Sequence, residues 1–442
     1  MDKQAFLDLI EADRSEHIAL LQKFIQAPSP NPPGDTADAA TVLSDYLAQQ
    51  GVPVEVIAPQ GPSKPNLVSD FLCGSGSTTS TRSNGASQQG ARIVMNGHID
   101  VFPVDTSQSD KWSHGGPWSG HNDGTHIYGR GGVDMKAGTL ASTIAYSYLY
   151  RRRDRLGKQG SVALTLVSDE ETGGKFGSRW LLEHDPDRWS GDVMINAEPG
   201  GLQSIRFGEK GTLRITFTVI TKGVHGAYTH LSEGANRVAS RLVQKLLQIE
   251  TDITPDLDPS IVEHMRSPEV RKVVDEIMGP GAADIVLKPT VNIGTMHGGI
   301  KVNMIPDRCV VEADIRLPIG LTKDVVLKYI DDKVLDGFPQ GQVSYQVQKA
   351  ASNPPSHCPV DHDMVGVLAG AAEKVTGRKP LAIPSLGATD TKFWRYRGVP
   401  AYVFGVSPET MAAGVDERVS IDEFLAVVKT HAHAVWEYLD GK

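Results

Sequence analysis

Short, almost wholly apolar runs alternate with helix-length stretches over the first half of the chain. ARIVMNGHIDV, SVALTLV and GDVMINAEPG read as buried strands, and GGVDMKAGTLASTIAYSYLY reads as a loop entering a helix. Residues 1–50 read as two amphipathic helices separated by the Pro-rich turn APSPNPPGDT. Such alternation predicts an α/β fold with a mostly parallel sheet and helices on both faces. The period changes near Gly211, where TLRITFTVIT alternates like a strand with one wet face. Helical patterns follow at NRVASRLVQKLLQIE and TKDVVLKYIDDKVL, and strands at KPTVNIGTMHGG and DRCVVEADIRLP. After SNPPSHCPVDHD the apolar pattern returns, with MVGVLAGAAEKVTG as a helix and AYVFGV as a strand. The expected layout is one domain made of 1–211 and 351–442, interrupted by a smaller α+β domain at 212–350. The segment CGSGSTTSTRSNGASQQGA reads as a surface insertion; it lacks the Lys-Ser/Thr ending of a phosphate loop.

Length and composition narrow the class. A chain of 442 residues favours two domains, and 40 % hydrophobic with 22 % charged residues describes a globular protein. No apolar run approaches the roughly 18–20 residues that cross a bilayer. The opening MDKQAFLDLIEADRSEHIALLQKFIQ has helical spacing unlike a signal peptide, so a cytoplasmic protein is expected, without a membrane partner. A formal charge of −9 argues against nucleic acid as a partner. The one basic run, RRRDR from Arg151, falls where the preceding helix ends and its dipole favours cations. Cys73, Cys309 and Cys358 form no CxxC pair and read as reduced thiols.

Chemistry-bearing residues gather where the apolar strands stop. His98 and Asp100 close IVMNGHID, Asp134 sits in GRGGVDMKAG, Glu170 and Glu171 follow SVALTLV, and Glu198 follows VMINA. The ends of parallel strands converge on one rim, and one His with several carboxylates is a ligand set for a divalent ion. His98 and Asp100 are two apart and face the same way in an extended strand, so Asp100 can orient the imidazole. Asp134 has two oxygens with which to bridge two ions. Glu170 and Glu171 project differently, so one can bind metal while the other takes a proton from water. Any one of these acids alone would read as a solvated strand end. Four clusters in order, each beside an apolar element, favour a metal site.

The ordered set NGHIDVFP, WSHGGPWSGHNDGTHIYGRGGVDMKAG, SDEETGG, NAEPG, KGVHGAYTHLSEGANR and VNMIPDRCVVEADIR resembles a known family over nearly the whole chain. It is that of the metal-dependent amidohydrolases and peptidases which include acetylornithine deacetylase, succinyl-diaminopimelate desuccinylase, aminoacylase and glutamate carboxypeptidase. The resemblance implies a catalytic domain interrupted by a lid and dimerisation domain. It implies one or two divalent ions, Zn or else Mn or Co, with His98 and Glu198 on one, Asp134 bridging and Glu171 on the second. Glu170 would be the general base on metal-bound water, with Asp100 orienting His98. His225 would reach the neighbouring subunit's site in a homodimer and stabilise the oxyanion. Asn303 and Arg316 would bind the substrate carboxylate or the oxyanion, although Arg316 equally suits an ion pair with Asp314. Thr389, in SLGATDTKF, would line the pocket or simply shape a turn. The implied reaction is hydrolysis of an amide in an N-acyl amino acid or dipeptide-like molecule carrying a carboxylate.

One departure stands out. The family's last metal ligand, a C-terminal histidine, aligns with Ala413 in ETMAAGVDERVSIDEF. Three readings follow: a single tight metal, a substitute ligand such as Asp416 or a nearby histidine, or altered chemistry such as deamination or amide formation. A non-catalytic metal-binding relative is the alternative from another class. The remaining histidines, among them His114, His121, His126, His230, His297, His357, His431 and His433, read mostly as solvated.

Overall fold

The computed structural model describes residues 3–74, 90–156, 160–408 and 414–441. Most of the Ser/Gly-rich insertion and Ala413 itself lie outside the described residues. The larger domain is built on a nine-stranded sheet. Its centre is parallel and runs Ser161–Val167, Arg92–His98, Val193–Asn196, Ala401–Val403. Antiparallel strands flank it, Asn66–Leu72 and Glu55–Ile57 on one side and Ser204–Glu209 with Ser356–His357 on the other. Leu381–Ser385 pairs parallel with Ser204–Glu209.

Every residue of the Ala137–Tyr150 helix is buried, which its sequence explains: AGTLASTIAYSYLY carries no charge on any face. It packs between the sheet and the C-terminal helix Ile421–Asp440. The arginines after it end the helix as expected. Arg152 Nη1 donates to the Tyr148 carbonyl and Arg153 Nη1 to that of Tyr150. Two expectations need correction. The N-terminal pattern gives three helices before Gln50, because the first breaks at Asp13 into Lys3–Ala12 and Arg14–Ile25. His431 and His433 are buried, since the terminal helix is covered on both sides. Burial pushes the His431 imidazole down to about 4. All three cysteines are free and buried. Among the described residues no helix is long and apolar enough to cross a membrane.

The smaller unit is a four-stranded antiparallel sheet in the order Thr290–Gly298, Arg308–Leu317, Gly211–Ile220, Val343–Val347. Its strands alternate buried and open residues, and Leu213, Ile215, Phe217 and Val219 pack under the amphipathic helix Ala235–Leu247. The chain enters at Gly211 and leaves at Asn353, where Thr212 and Asn353 form a bridge. A Cβ on Gly211 would lie 2.4 Å from the Pro354 carbonyl carbon, so this junction is tight.

The segment between those points does not all stay with the small sheet. Pro259–Arg266, Pro268–Met278 and Ala282–Ile285 form a helical excursion whose Ile261, Met265, Val270 and Val274 join the larger domain's core. Both long helices carry local start signals. Pro occupies the first turn, and the Asp258 and Ser267 side chains accept from Ser260 N and Val270 N.

Candidate metal centre and active-site cleft

Three adjacent parallel strands end at one rim and carry His98, Glu170 with Glu171, and Glu198. Asp134 arrives from the loop before the buried helix. Two glycines allow that approach. A Cβ on Gly138 would sit 2.1 Å from the Ala197 carbonyl oxygen, and one on Gly405 would sit 2.2 Å from that of Glu198. Any side chain at either place would push the Asp134 loop or the neighbouring strand away from Glu198.

His98, Asp134 and Glu198 each offer a ligand atom within 4.8 Å of the others. His98 Nε2 lies 3.2 Å from Asp134 Oδ1 and 3.4 Å from Glu198 Oε1. The imidazole is oriented from behind. Its Nδ1 is 2.7 Å from the Asp100 backbone oxygen and 3.5 Å from Asp100 Oδ1. The Asp100 carboxylate mainly serves a neighbour: it accepts from Glu170 N, Glu171 N and Asn31 Nδ2, fixing the turn that holds both glutamates.

The electrostatics call for a cation. Burial, and then the Asp134 charge, push the Glu171 and Glu198 carboxyls up from their ordinary range. Glu171 Oε1 is buried without a hydrogen-bond partner. Burial raises Glu170 too, and Lys392, with Nζ 3.9 Å from Glu170 Oε1, works against that rise. The His98 imidazole is driven well up, its desolvation outweighed by Glu198 and the other acids around it. One imidazole among several buried carboxylates, one with an orphaned oxygen, fits a divalent ion.

A second buried pair holds the loop. Arg130 Nη1 donates to Glu417 Oε2 at 2.6 Å, while Glu417 Oε1 accepts from Val133 N at 2.9 Å and Asp134 N at 3.4 Å. Glu417 escaped the sequence reading, although it stands in the VDERV segment beside Ala413. Lys392 and Arg206 escaped too, being single cations on the short helix Thr391–Arg395 and on a strand, with no local pattern.

Beside the cluster opens a cleft of about 760 Å³ between the sheet ends and the small domain. Glu170 and Glu171 line one side; Arg214, Arg316, Lys349 and Lys392 are among the cations on the others. Arg316 Nη2 pairs with Asp314 Oδ2 at 3.0 Å and still faces the cleft. Thr389 is buried, its hydroxyl donating to Glu209. His225 and Asn303 are exposed on the small domain, Gly226 N donating to the Asn303 carbonyl, and line no part of this cleft. Asp416 accepts from Ser113 N and Oγ. His114 and His121 stack on each other beside Tyr128.

Residues 94–437 match the family described as Peptidase family M20/M25/M40. The chain belongs to that family. It is 27 % identical over 417 residues to a succinyl-diaminopimelate desuccinylase of Methylorubrum extorquens, covering 92 % of this chain and 95 % of that one. Its fold is similar to that of the M20 family metallo-carboxypeptidase Sso-CP2 from Sulfolobus solfataricus, with a TM-score of 0.74 at 20 % identity, covering 96 % of this chain and 99 % of the other. Human carnosine dipeptidase 1 aligns with a TM-score of 0.72 at 17 % identity, over 99 % and 100 % of the two chains. As an M20 family member the chain is a hydrolase of the metal-dependent amidohydrolase type, and the strand-end cluster is where its own residues can hold the metal.

Proposed function

We propose that this M20 hydrolase cleaves the amide bond of an N-acyl amino acid or dipeptide-like molecule, with Glu170 as general base. The observation that carries the reading is the place of Glu170. It is a partly buried carboxylate with a raised pKa, between the metal-ligand group and a cleft lined by cations. His98, Asp134 and Glu198 would hold a divalent ion, with Glu171 the further carboxylate available to a second; zinc is the expected metal, manganese or cobalt the substitutes. A divalent cation there supplies polarisation of the amide carbonyl and acidification of a water.

The chain's own groups do the rest. Glu170, ionised, takes the proton from the attacking water and returns it to the leaving nitrogen. Arg316 offers its fork to the substrate carboxylate. The protein works as a homodimer through the small domain, so that His225 and Asn303 of one subunit complete the site of the other. Desuccinylase and dipeptidase are the activities named for two of its relatives, and the substrate class proposed here spans both.

The test combines metal content with turnover. Protein stripped of metal and reloaded with zinc, manganese or cobalt is assayed by mass spectrometry against N-acyl amino acids and dipeptides. Glu170→Gln should lower kcat by about 10²–10⁴-fold with metal content unchanged. Hydrolysis that survives this change sinks the assignment of the base.

A further inference from the structure

The small sheet is fastened to the larger domain in more places than its two ends require. Gly211 and Asn353, where the chain enters and leaves, lie side by side: Thr212 N and Asn353 N each donate to the other's carbonyl at 2.9 Å. A domain held by one such pair of strands can swivel about it, and relative motion is the default for domains so joined. Here the chain crosses between the two cores again, on either side of the excursion. Ile253 belongs to the small core and Leu257 packs against the larger one; Leu287 packs there too, and Val291 is back against the small core. The linkers, 254–256 and 288–290, are short, and each holds a proline, Pro255 and Pro289, which restricts its freedom.

Both the excursion and its linkers are pinned. Ile261, Met265, Val270 and Val274 seat the excursion helices in the larger core. His264 Nε2 donates to the Ala382 carbonyl at 2.6 Å, on the large-sheet strand Leu381–Ser385. Asp256 N donates to the Gly320 carbonyl at 3.1 Å. A Cβ on Gly320 would lie 2.1 Å from the Asp256 carbonyl oxygen, so the first linker presses on the small domain. Lys210 Nζ donates to the Lys288 carbonyl at 2.7 Å, which ties the second linker to the entry point at Gly211. Ile319, just after the strand Arg308–Leu317, is buried in the larger core beside Gly208, where a Cβ would come within 2.7 Å of its Cδ1. These anchors are spread over three neighbouring strands: the second linker leads into Thr290–Gly298, Gly320 follows Arg308–Leu317, and Gly211 opens Gly211–Ile220. Strands about 4.8 Å apart give that row a breadth on the order of 10 Å. The breadth opposes twisting of the small domain, and the buried Ile319 with the Asp256–Gly320 contact opposes bending.

We propose that the excursion is a strap that locks the small domain onto the larger one. The cleft of about 760 Å³ between them then keeps one geometry, and a substrate enters and leaves it without the domains opening. The inference concerns the fold and holds whichever amide is cleaved.

The test reads the distance between the domains in the full chain by double electron–electron resonance. Spin labels go on cysteines introduced at two exposed positions, Ala48→Cys in the larger domain and Asp324→Cys in the small one. Cys73, Cys309 and Cys358 are buried and stay unlabelled. Dilution with unlabelled chain removes any distance between subunits. Without further change the labelled protein should give one narrow distribution, which adding zinc leaves in place. Gly-Ser inserts after Thr254 and after Lys288 slacken both linkers while leaving the core residues as they are, and should broaden the distribution by about twofold or more. Val274→Asp, which sets a charge in the larger core under the strap, should broaden it as well; where that variant does not fold, the inserts decide. A broad or two-peaked distribution without the inserts, a distance that moves when zinc is added, or a narrow distribution that survives the inserts would each overturn the strap.

Discussion

Residue by residue, the site shows how far an acidic group depends on what surrounds it. Glu170 and Glu171 are adjacent in sequence, yet one lies beside Lys392 and the other has an orphaned oxygen next to the metal-ligand group. Burial raises the Glu170 pKa, and Lys392 is the largest influence lowering it. A general base works ionised, so activity falls as pH drops through its pKa. Removing the cation raises that pKa further. Lys392→Met should therefore shift the acid limb of the kcat/KM profile to higher pH, by about one unit, while the alkaline limb stays in place. An acid limb that does not move means another group sets it. The carboxylates and His98 were legible in the sequence because each closes an apolar strand or, for Asp134, stands just before an apolar helix. Lys392 was not, because its meaning depends on the short helix Thr391–Arg395 folding back from far along the chain. His98 Nδ1 lies 3.5 Å from the Asp100 carboxylate, while its hydrogen bond runs to the Asp100 backbone oxygen, a distinction no pattern of residue types carries.

At the scale of elements, the centre is positioned by loops that are pinned, not by strands alone. The loop bearing Asp134 is tied to the segment before the C-terminal helix by Glu417, which accepts two of the loop's backbone N–H groups and pairs with Arg130. Both side chains are almost fully buried. Removing Glu417 takes the carboxylate away from a buried guanidinium, so Glu417→Ala should cost about 3–5 kcal/mol of stability, read by chemical denaturation. It should also weaken metal binding, because Asp134 loses its support, whereas Glu417→Gln keeps an acceptor for Val133 N and should retain more metal. Metal affinity unchanged in Glu417→Ala would show that the loop needs no such tie. The strands and the long helices were legible from period and apolar content. The excursion at 259–285 was not read, although its Pro and Asp/Ser starts and its spacing of Ile261, Met265, Val270 and Val274 are visible in hindsight. A surrounding pattern of small-domain strands and helices hides the fact that those apolar faces belong to the other core. Local sequence specifies a helix; it does not say which of two cores will cover it.

For the whole molecule, the open question is what completes the site. The small domain exposes Ile300 and Val302, with Tyr228, Leu231 and Met304 about half exposed, around the strand pair that carries His225. Large apolar side chains concentrated on one face are more than the scattered exposure ordinary surfaces show. A pair of subunits meeting there would bury them and carry His225 toward a neighbour's cluster, something the single chain does not do, since His225 lines no part of the cleft. Two measurements decide it. Ile300→Asp with Val302→Asp should convert a dimer to a monomer in sedimentation, because charge on a buried apolar face opposes association. Mixing His225→Ala with Glu170→Gln tests the sharing of residues. Random exchange makes half the dimers mixed, and each mixed dimer has one site with both groups intact. Activity should thus return to about a quarter of the wild-type value from two nearly inactive parents. A single-chain site would show no recovery, since neither parent then contains a complete set, and a wild type that sediments as a monomer would remove the shared site altogether.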